Sequence, residues 1–128
     1  MIDRPFGAPI DIELDLPPPP SVNKTRRIDR AGQRITAKWH KAADELVTIA
    51  WAGGRLPKNI LAQFEVVIVL DERRVRIDLD NGIKSLIDYA RRLGLIVNDD
   101  KRYLRELRVV WGDAPRGCRL ILRPREPA

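Results

Sequence analysis

The run Phe64–Leu70 is apolar at every position except Glu65 and is rich in valine and isoleucine. β-Branched side chains lose rotamer freedom in a helix and pack well on a pleated surface, so the run reads as a strand. A strand apolar on both faces belongs near the middle of a sheet, covered on each side. That element obliges the remaining sequence to supply flanking strands and covering helices. Residues 10–16 supply one strand: Ile10, Ile12, Leu14 and Leu16 alternate with Asp11, Glu13 and Asp15, the period-two pattern of a half-buried strand. Two more are expected at about 104–111 and 117–123, where a turn at Gly112, Asp113, Ala114 and Pro115 makes the pair read as a hairpin.

Pro17 to Pro20 stop the first strand and force extended polyproline geometry, so Ser21, Val22, Asn23 and Lys24 come after a rigid connector. Residues 21–33 are polar and basic, with Gly32 as a turn, and read as a loop. Thr36 is placed to cap a helix through Trp39, Ala42, Ala43, Leu46, Val47, Ile49 and Ala50 that ends near Gly53 and Gly54. A second helix is expected over about 81–93, with Ile83, Leu86, Ile87, Ala90 and Leu93 on one face and Gly94 ending it. The order strand, helix, strand, helix, strand, strand predicts an α/β fold, a single layered domain with a mixed four-stranded sheet and two helices. At 128 residues, 44% of them hydrophobic, the chain has room for one such core, with short tails at about 1–8 and 124–128.

Composition narrows the chemistry. Twenty-four Lys and Arg against 18 Asp and Glu give a formal charge of +6, which favours a polyanionic partner, most simply nucleic acid. The excess is uneven: Lys24, Arg26, Arg27, Arg30 and Arg34 lie close together with Asp29 alone to offset them. A single cysteine, Cys118, excludes an intramolecular disulfide and fits a reducing compartment. It shares a strand face with Leu120 and Leu122, the setting of a structural thiol. One histidine, His40, rules out a His-rich zinc site. No apolar stretch approaches the roughly 20 residues of a membrane span, and the N-terminus lacks a signal pattern. The expectation is a soluble, cytoplasmic protein, nucleoid-associated when bound to DNA, with no small-molecule cofactor.

The segment Asp78, Leu79, Asp80, Asn81, with Lys84 and Asp88 after it and then Asn98, Asp99 and Asp100, gathers carboxylates where folding alone does not ask for them. Residues 75–80 alternate, so an extended chain sends Val75, Ile77 and Leu79 to one face and Arg76, Asp78 and Asp80 to the other. Two carboxylates then project together, roughly 7 Å apart. Like charges so placed repel and raise one another's pKa unless a cation sits between them. Hard oxygen ligands with positions left for water suit Mg²⁺, with Mn²⁺ a possible substitute. A structural reading stands beside this one. An Asp before a helix is a good N-cap, and Lys84, one turn beyond Asp80, reads as an ordinary i,i+4 helix ion pair; capping explains one Asp and not two. A helix-loop-helix calcium site fails, since counting from Asp78 puts Ile83 where the turn glycine belongs and Tyr89 where the bidentate glutamate belongs.

These residues resemble the signature of the RusA-type Holliday junction resolvases, small dimeric endodeoxyribonucleases of bacteria, phages and prophages. The likeness lies in Asp78-Leu79-Asp80-Asn81 with Lys84 and Asp88, then Gly94 and an acidic pair before a strand. Pro18, Pro19, Pro20, Ser21, Val22 and Asn23 are similar to the family's proline-serine-asparagine segment, and Gly32, Thr36 and Trp39 are similar to the stretch after it. The similarity spans about residues 10–123. It implies that Asp78 and Asp80 are catalytic metal ligands and that Lys84 is the essential lysine. Alignment on Gly94 and Tyr103 puts Asp99 on the third catalytic acid, with Asp100 in reserve as a ligand. Asn98 departs from the family's usual first acid of the pair, and Ile77 from its arginine or proline. Asp88, beside Lys84, is expected to orient that lysine.

The resemblance implies a Mg²⁺-dependent, structure-selective endodeoxyribonuclease that resolves four-way DNA junctions by paired symmetric nicks in recombination or repair, leaving 5′-phosphate and 3′-hydroxyl ends. Two symmetric cuts call for a two-fold homodimer with one site per subunit. The alternatives are a relative cutting other branched DNA, such as flaps or forks, and a dimeric junction-binding module without catalysis. Lys24, Arg26 and Arg27, with Arg76, Lys101 and Arg102 beside the acidic site, are the expected phosphate contacts. Charge reversal at Arg26 and Arg27 should weaken four-way-junction binding and lower the log–log salt slope by about 2. Binding unchanged across a salt titration would remove both residues from the interface.

Overall fold

The computed structural model describes residues 11–21, 30–52 and 63–125. In chain order the elements are β1 (Ile12–Leu16), α1 (Arg30–Ala50), β2 (Phe64–Leu70), α2 (Ile83–Arg92), β3 (Leu104–Trp111) and β4 (Cys118–Pro124). They form the expected α/β domain, two helices with a mixed four-stranded sheet of order β1-β4-β2-β3. β2 is interior, parallel to β3 and antiparallel to β4, and β4 pairs antiparallel with β1. Parallel neighbours need a crossover, which α2 and its flanking loops supply between β2 and β3.

One face of the sheet makes the core. Phe64, Val66, Ile68 and Leu70 are buried on it beside Leu120, Leu122, Ile12, Leu14 and Leu16. Each such side chain contributes about 1.5–3 kcal/mol by leaving water. Trp39, Ala43 and Val47 of α1 recur every four residues and pack into the same cluster, as do Leu86, Ile87, Tyr89 and Ala90 of α2.

Several expectations are corrected. β3 and β4 are not a hairpin: β4 inserts between β1 and β2, so residues 112–117 cross over the end of β2. β2 is central yet not covered on both faces, because Glu65, Val67 and Val69 are half-buried on the side away from the core. α1 already includes residues 30–33, assigned to a loop from their polarity, and Thr36 does not cap it. Thr36 Oγ1 instead donates back to Gly32 O at 3.1 Å, inside the helix. Gly53 and Gly54 lie outside the described residues. The chain continues as strand to Pro124, and Arg125 remains tied to the sheet through Gln63 O at 2.6 Å. Among the described residues no helix is long and apolar enough to cross a membrane.

The polyproline segment is a strap. Trp39 Nε1 donates to Pro18 O at 2.9 Å and to Pro17 O at 3.3 Å, tying it to α1. Its other side lies on two glycines. A Cβ on Gly82 would stand 2.5 Å from Pro19 Cγ, and one on Gly117 2.6 Å from Pro18 Cδ, where φ is also +120°.

Asp71, just after β2, is the one buried charged residue among the described residues, 2% exposed. Its Oδ1 accepts from Arg73 N and Nε and its Oδ2 from Arg73 Nη2, each at 3.0 Å. Its backbone joins Gly117 O at 3.0 Å and turns the chain through Arg74 N and Val75 N. These bonds hold the carboxyl down to about 2, the Arg73 side chain first among the causes. A depressed carboxyl pKa gives stability that is fully present above the unfolded value, about 4. That stability is lost as pH falls from about 4 towards 2. The urea midpoint of the wild type should therefore fall more steeply than that of Asp71→Asn across this window; parallel profiles would exclude Asp71 as the source.

Candidate metal centre

The loop held at its start by Asp71 carries Asp78 and Asp80. Residues 75–80 are not a strand, yet their exposure alternates as anticipated: Val75 is buried, Ile77 and Leu79 pack against the core, and Arg76, Asp78 and Asp80 face solvent. The apolar members anchor the loop, and the carboxylates are left outside. Asp78 O accepts from Asn81 N at 3.0 Å, closing a turn before α2. α2 begins at Ile83, later than expected, with Gly82 at the N-cap and no side-chain cap bond. Neither Asp is therefore spent on capping the helix. Ser21 Oγ donates to Asn81 Oδ1 at 3.2 Å, so the strap is bonded to the acidic turn.

α2 then presents Lys84. Its Nζ lies 3.1 Å from Asp88 Oδ1, one turn on, and 3.1 Å from Asp99 Oδ2 across the fold. These two carboxylates, Asp88 first, raise the lysine pKa. Asp99 also has Arg91 Nη1 at 4.0 Å from its Oδ1. Gly94, at φ 77°, ends α2, and Leu95 N returns to Ala90 O at 3.1 Å while Gly94 N returns to Arg91 O at 3.0 Å. Leu95 and Ile96 bury themselves at the start of the second acidic loop. There Asn98 Oδ1 accepts from Asp99 N at 2.8 Å, which turns Asp99 towards α2.

Asp100 is placed differently. Its carboxylate accepts from Arg102 N at 2.9 Å, Nε at 3.1 Å and Nη2 at 2.7 Å, and these bonds, the side-chain ones first, lower its pKa. The guanidinium also lies 5.2 Å from the Tyr103 ring centroid. So Asp99 meets Lys84, whereas Asp100 and Arg102 serve each other. Arg76 and Lys101 are exposed. Lys24, Arg26 and Arg27 lie outside the described residues.

The donor set is carboxylate oxygen, which suits a hard divalent cation, and Asp78 and Asp80 are exposed with no ion pair among the described residues. The described residues do not bring three carboxylates together in the arrangement of a closed metal cage. Asp99, the third expected ligand, is engaged by Lys84 and Arg91. Carboxylate oxygens suit Mg²⁺ in kind. No family model matches the chain, and no curated protein matches it.

Sequence reasoning missed Asp71 and Tyr89. Tyr89 is fully buried in α2, stacks edge-on to Trp39 at 5.1 Å and donates its hydroxyl to Asp44 Oδ1 at 2.6 Å. Burial, then that bond, raises its pKa. Its position three residues after Leu86, on the same side of α2, was the available signal. Beside it, between α1 and the end of α2, an open depression of about 700 Å³ is lined by His40, Lys41, Asp44 and Arg92 among others. It contains none of the acidic-site residues.

Lys84 is half exposed, so its two ion pairs contribute little to folding. Lys84→Met should lower unfolding free energy by less than about 1 kcal/mol in urea titration. A loss of several kcal/mol would make Lys84 a structural residue instead.

Proposed function

We propose that this chain is a metal-dependent endodeoxyribonuclease acting on four-way DNA junctions as a homodimer. One observation carries the reading: Asp78 and Asp80 are exposed, do not cap α2 and have no ion pair among the described residues, while Lys84, four residues beyond Asp80 in sequence, contacts Asp99. A folding role does not account for the pair, whereas phosphodiester hydrolysis uses such a set. The resemblance of this set to the RusA-type resolvases supports the substrate class, and the charge of +6 agrees with a polyanion.

Asp78 and Asp80, with Asp99, would hold Mg²⁺, which supplies Lewis acidity to a phosphate oxygen and to water. Lys84 Nζ donates to charge developing on the phosphate oxygens in the transition state. Asp88 keeps that ammonium protonated and fixed. Arg76 and Lys101, exposed on either side, meet flanking phosphates, and Lys24, Arg26 and Arg27 extend the track. Asp100 orders Arg102 and the loop.

One observation favours the binding-module alternative. Asp99 is neutralised by Lys84 and Arg91, the arrangement of a carboxylate kept for folding. Asp80→Asn separates the two. The nuclease should lose Mg²⁺-dependent paired nicking of a synthetic mobile junction by at least about 10²-fold, while junction affinity changes less than about threefold. A wild type that binds the junction with Mg²⁺ and leaves it uncut would overturn the catalytic reading. Flap and linear duplex controls, cut in preference to the junction, would move the substrate to other branched DNA.

A further inference from the structure

The sheet ends on two unlike edges. β1 is five residues long and runs into prolines that offer no N–H to a neighbour. β3 is eight residues long, contains no proline and has no strand on its outer side among the described residues. Such an edge is a template for another strand. Three of the five large apolar side chains exposed among the described residues lie on it: Leu107 at 42%, Val110 at 37% and Trp111 at 42%. Among the described residues the edge is therefore long and open, with exposed apolar side chains set among charged ones.

Its charges select the occupant. The register with β2 puts Glu106, Arg108 and Val110 on the side of Glu65, Val67 and Val69, and Leu107, Val109 and Trp111 on the core side. In an antiparallel pair, residues directly opposite share a face, so a two-fold axis must pass through a residue position. Centring on Glu106 opposes two glutamates, and centring on Arg108 opposes two arginines, both destabilising. Centring on Val109 sets Arg108 against Val110 and carries Glu106 and Arg105 beyond the end of the partner strand, so no opposite charges meet within β3. Centring on Leu107 stacks that exposed leucine on the partner's Leu107, faces Glu106 with the partner's Arg108 twice by symmetry, and sets Arg105 against the partner's Val109. Arg108 has no carboxylate among the described residues, while Glu106 has Arg125 alone, at 3.3 Å.

We propose that two copies of this chain pair along β3, antiparallel about an axis through Leu107, joining their sheets into one of eight strands. The inference deepens the homodimer proposed above and rests on the chain being a dimer, not on its cutting DNA. Asp100 O accepts from Tyr103 N and Leu104 N, each at 3.0 Å, so the second acidic loop feeds directly into the start of β3. At about 3.3 Å per residue, Leu104 stands about 10 Å from the axis, which puts the two loops on opposite sides of it, at least about 20 Å apart. That is an arrangement for two symmetric cuts.

Sedimentation equilibrium of the full chain tests the pairing. The wild type should be dimeric at tens of micromolar, Arg108→Glu should weaken the dimer at least tenfold, and the swap Glu106→Arg with Arg108→Glu should restore it. Leu107→Cys should form a disulfide-linked dimer on mild oxidation. Cys118 does not compete, because it is buried and its thiol is pushed up to about 12. A monomeric wild type, a dimer insensitive to Arg108→Glu, or Leu107→Cys left unlinked while Val109→Cys links would each overturn the proposal. A monomer that still nicks junctions would sink the edge and spare the nuclease. A dimer of this register that cuts nothing would do the reverse.

Discussion

The close approach of Pro18 and Pro19 to Gly117 and Gly82 is the contact on which the placement of the acidic site depends. Four consecutive prolines have no N–H to give and little freedom to lose, so they are held by shape and by their carbonyls. Shape is supplied where two glycines leave no room for a Cβ, and the carbonyls are taken by Trp39 of α1. One short extended segment thus touches the first helix, the start of β4 and the residue before α2. From its end Ser21 bonds Asn81, one residue beyond Asp80. Two motifs 60 residues apart in sequence are one physical unit.

Most of the architecture was legible because it derives from periodicity. The alternation in β1, the length of the β2 run and the apolar stripes of both helices each name a buried face. What periodicity does not encode is strand order. A hairpin and a strand inserted elsewhere in the sheet have the same local pattern, and residues 112–115 have turn chemistry in either case. The choice is made by long-range registry, in which β4 satisfies both β1 and β2 while β3 needs only the parallel side of β2. The uncovered face of β2 was misread for a related reason. Valines 67 and 69 suit a half-buried sheet surface as well as a buried one.

The site was legible in its residues and not in its contacts. The period-two pattern at 75–80 gave the correct exposure without a strand, since the apolar members need only reach the core. Lys84 was visible as an i,i+4 partner of Asp88, but its bond to Asp99 spans 15 residues and passes through the Gly94 turn. Asp71 escaped notice because a lone aspartate after a strand carries no periodic signal, although its bonds to Arg73 fix where the loop to Asp78 begins.

Charge balance within this region argues for what the acidic turn is kept for. Asp88 and Asp99 are answered by Lys84 and Arg91, and Asp100 by Arg102. Arg76 faces solvent, as Asp78 and Asp80 do, and forms no ion pair with either among the described residues. The loop that carries them is fixed at one end by Asp71 and at the other by the strap. Among the described residues Asp71, Asp88, Asp99 and Asp100 each have a cation of the chain's own, and Asp78 and Asp80 have none. The two that have none carry a combined charge of the size that one divalent ion supplies.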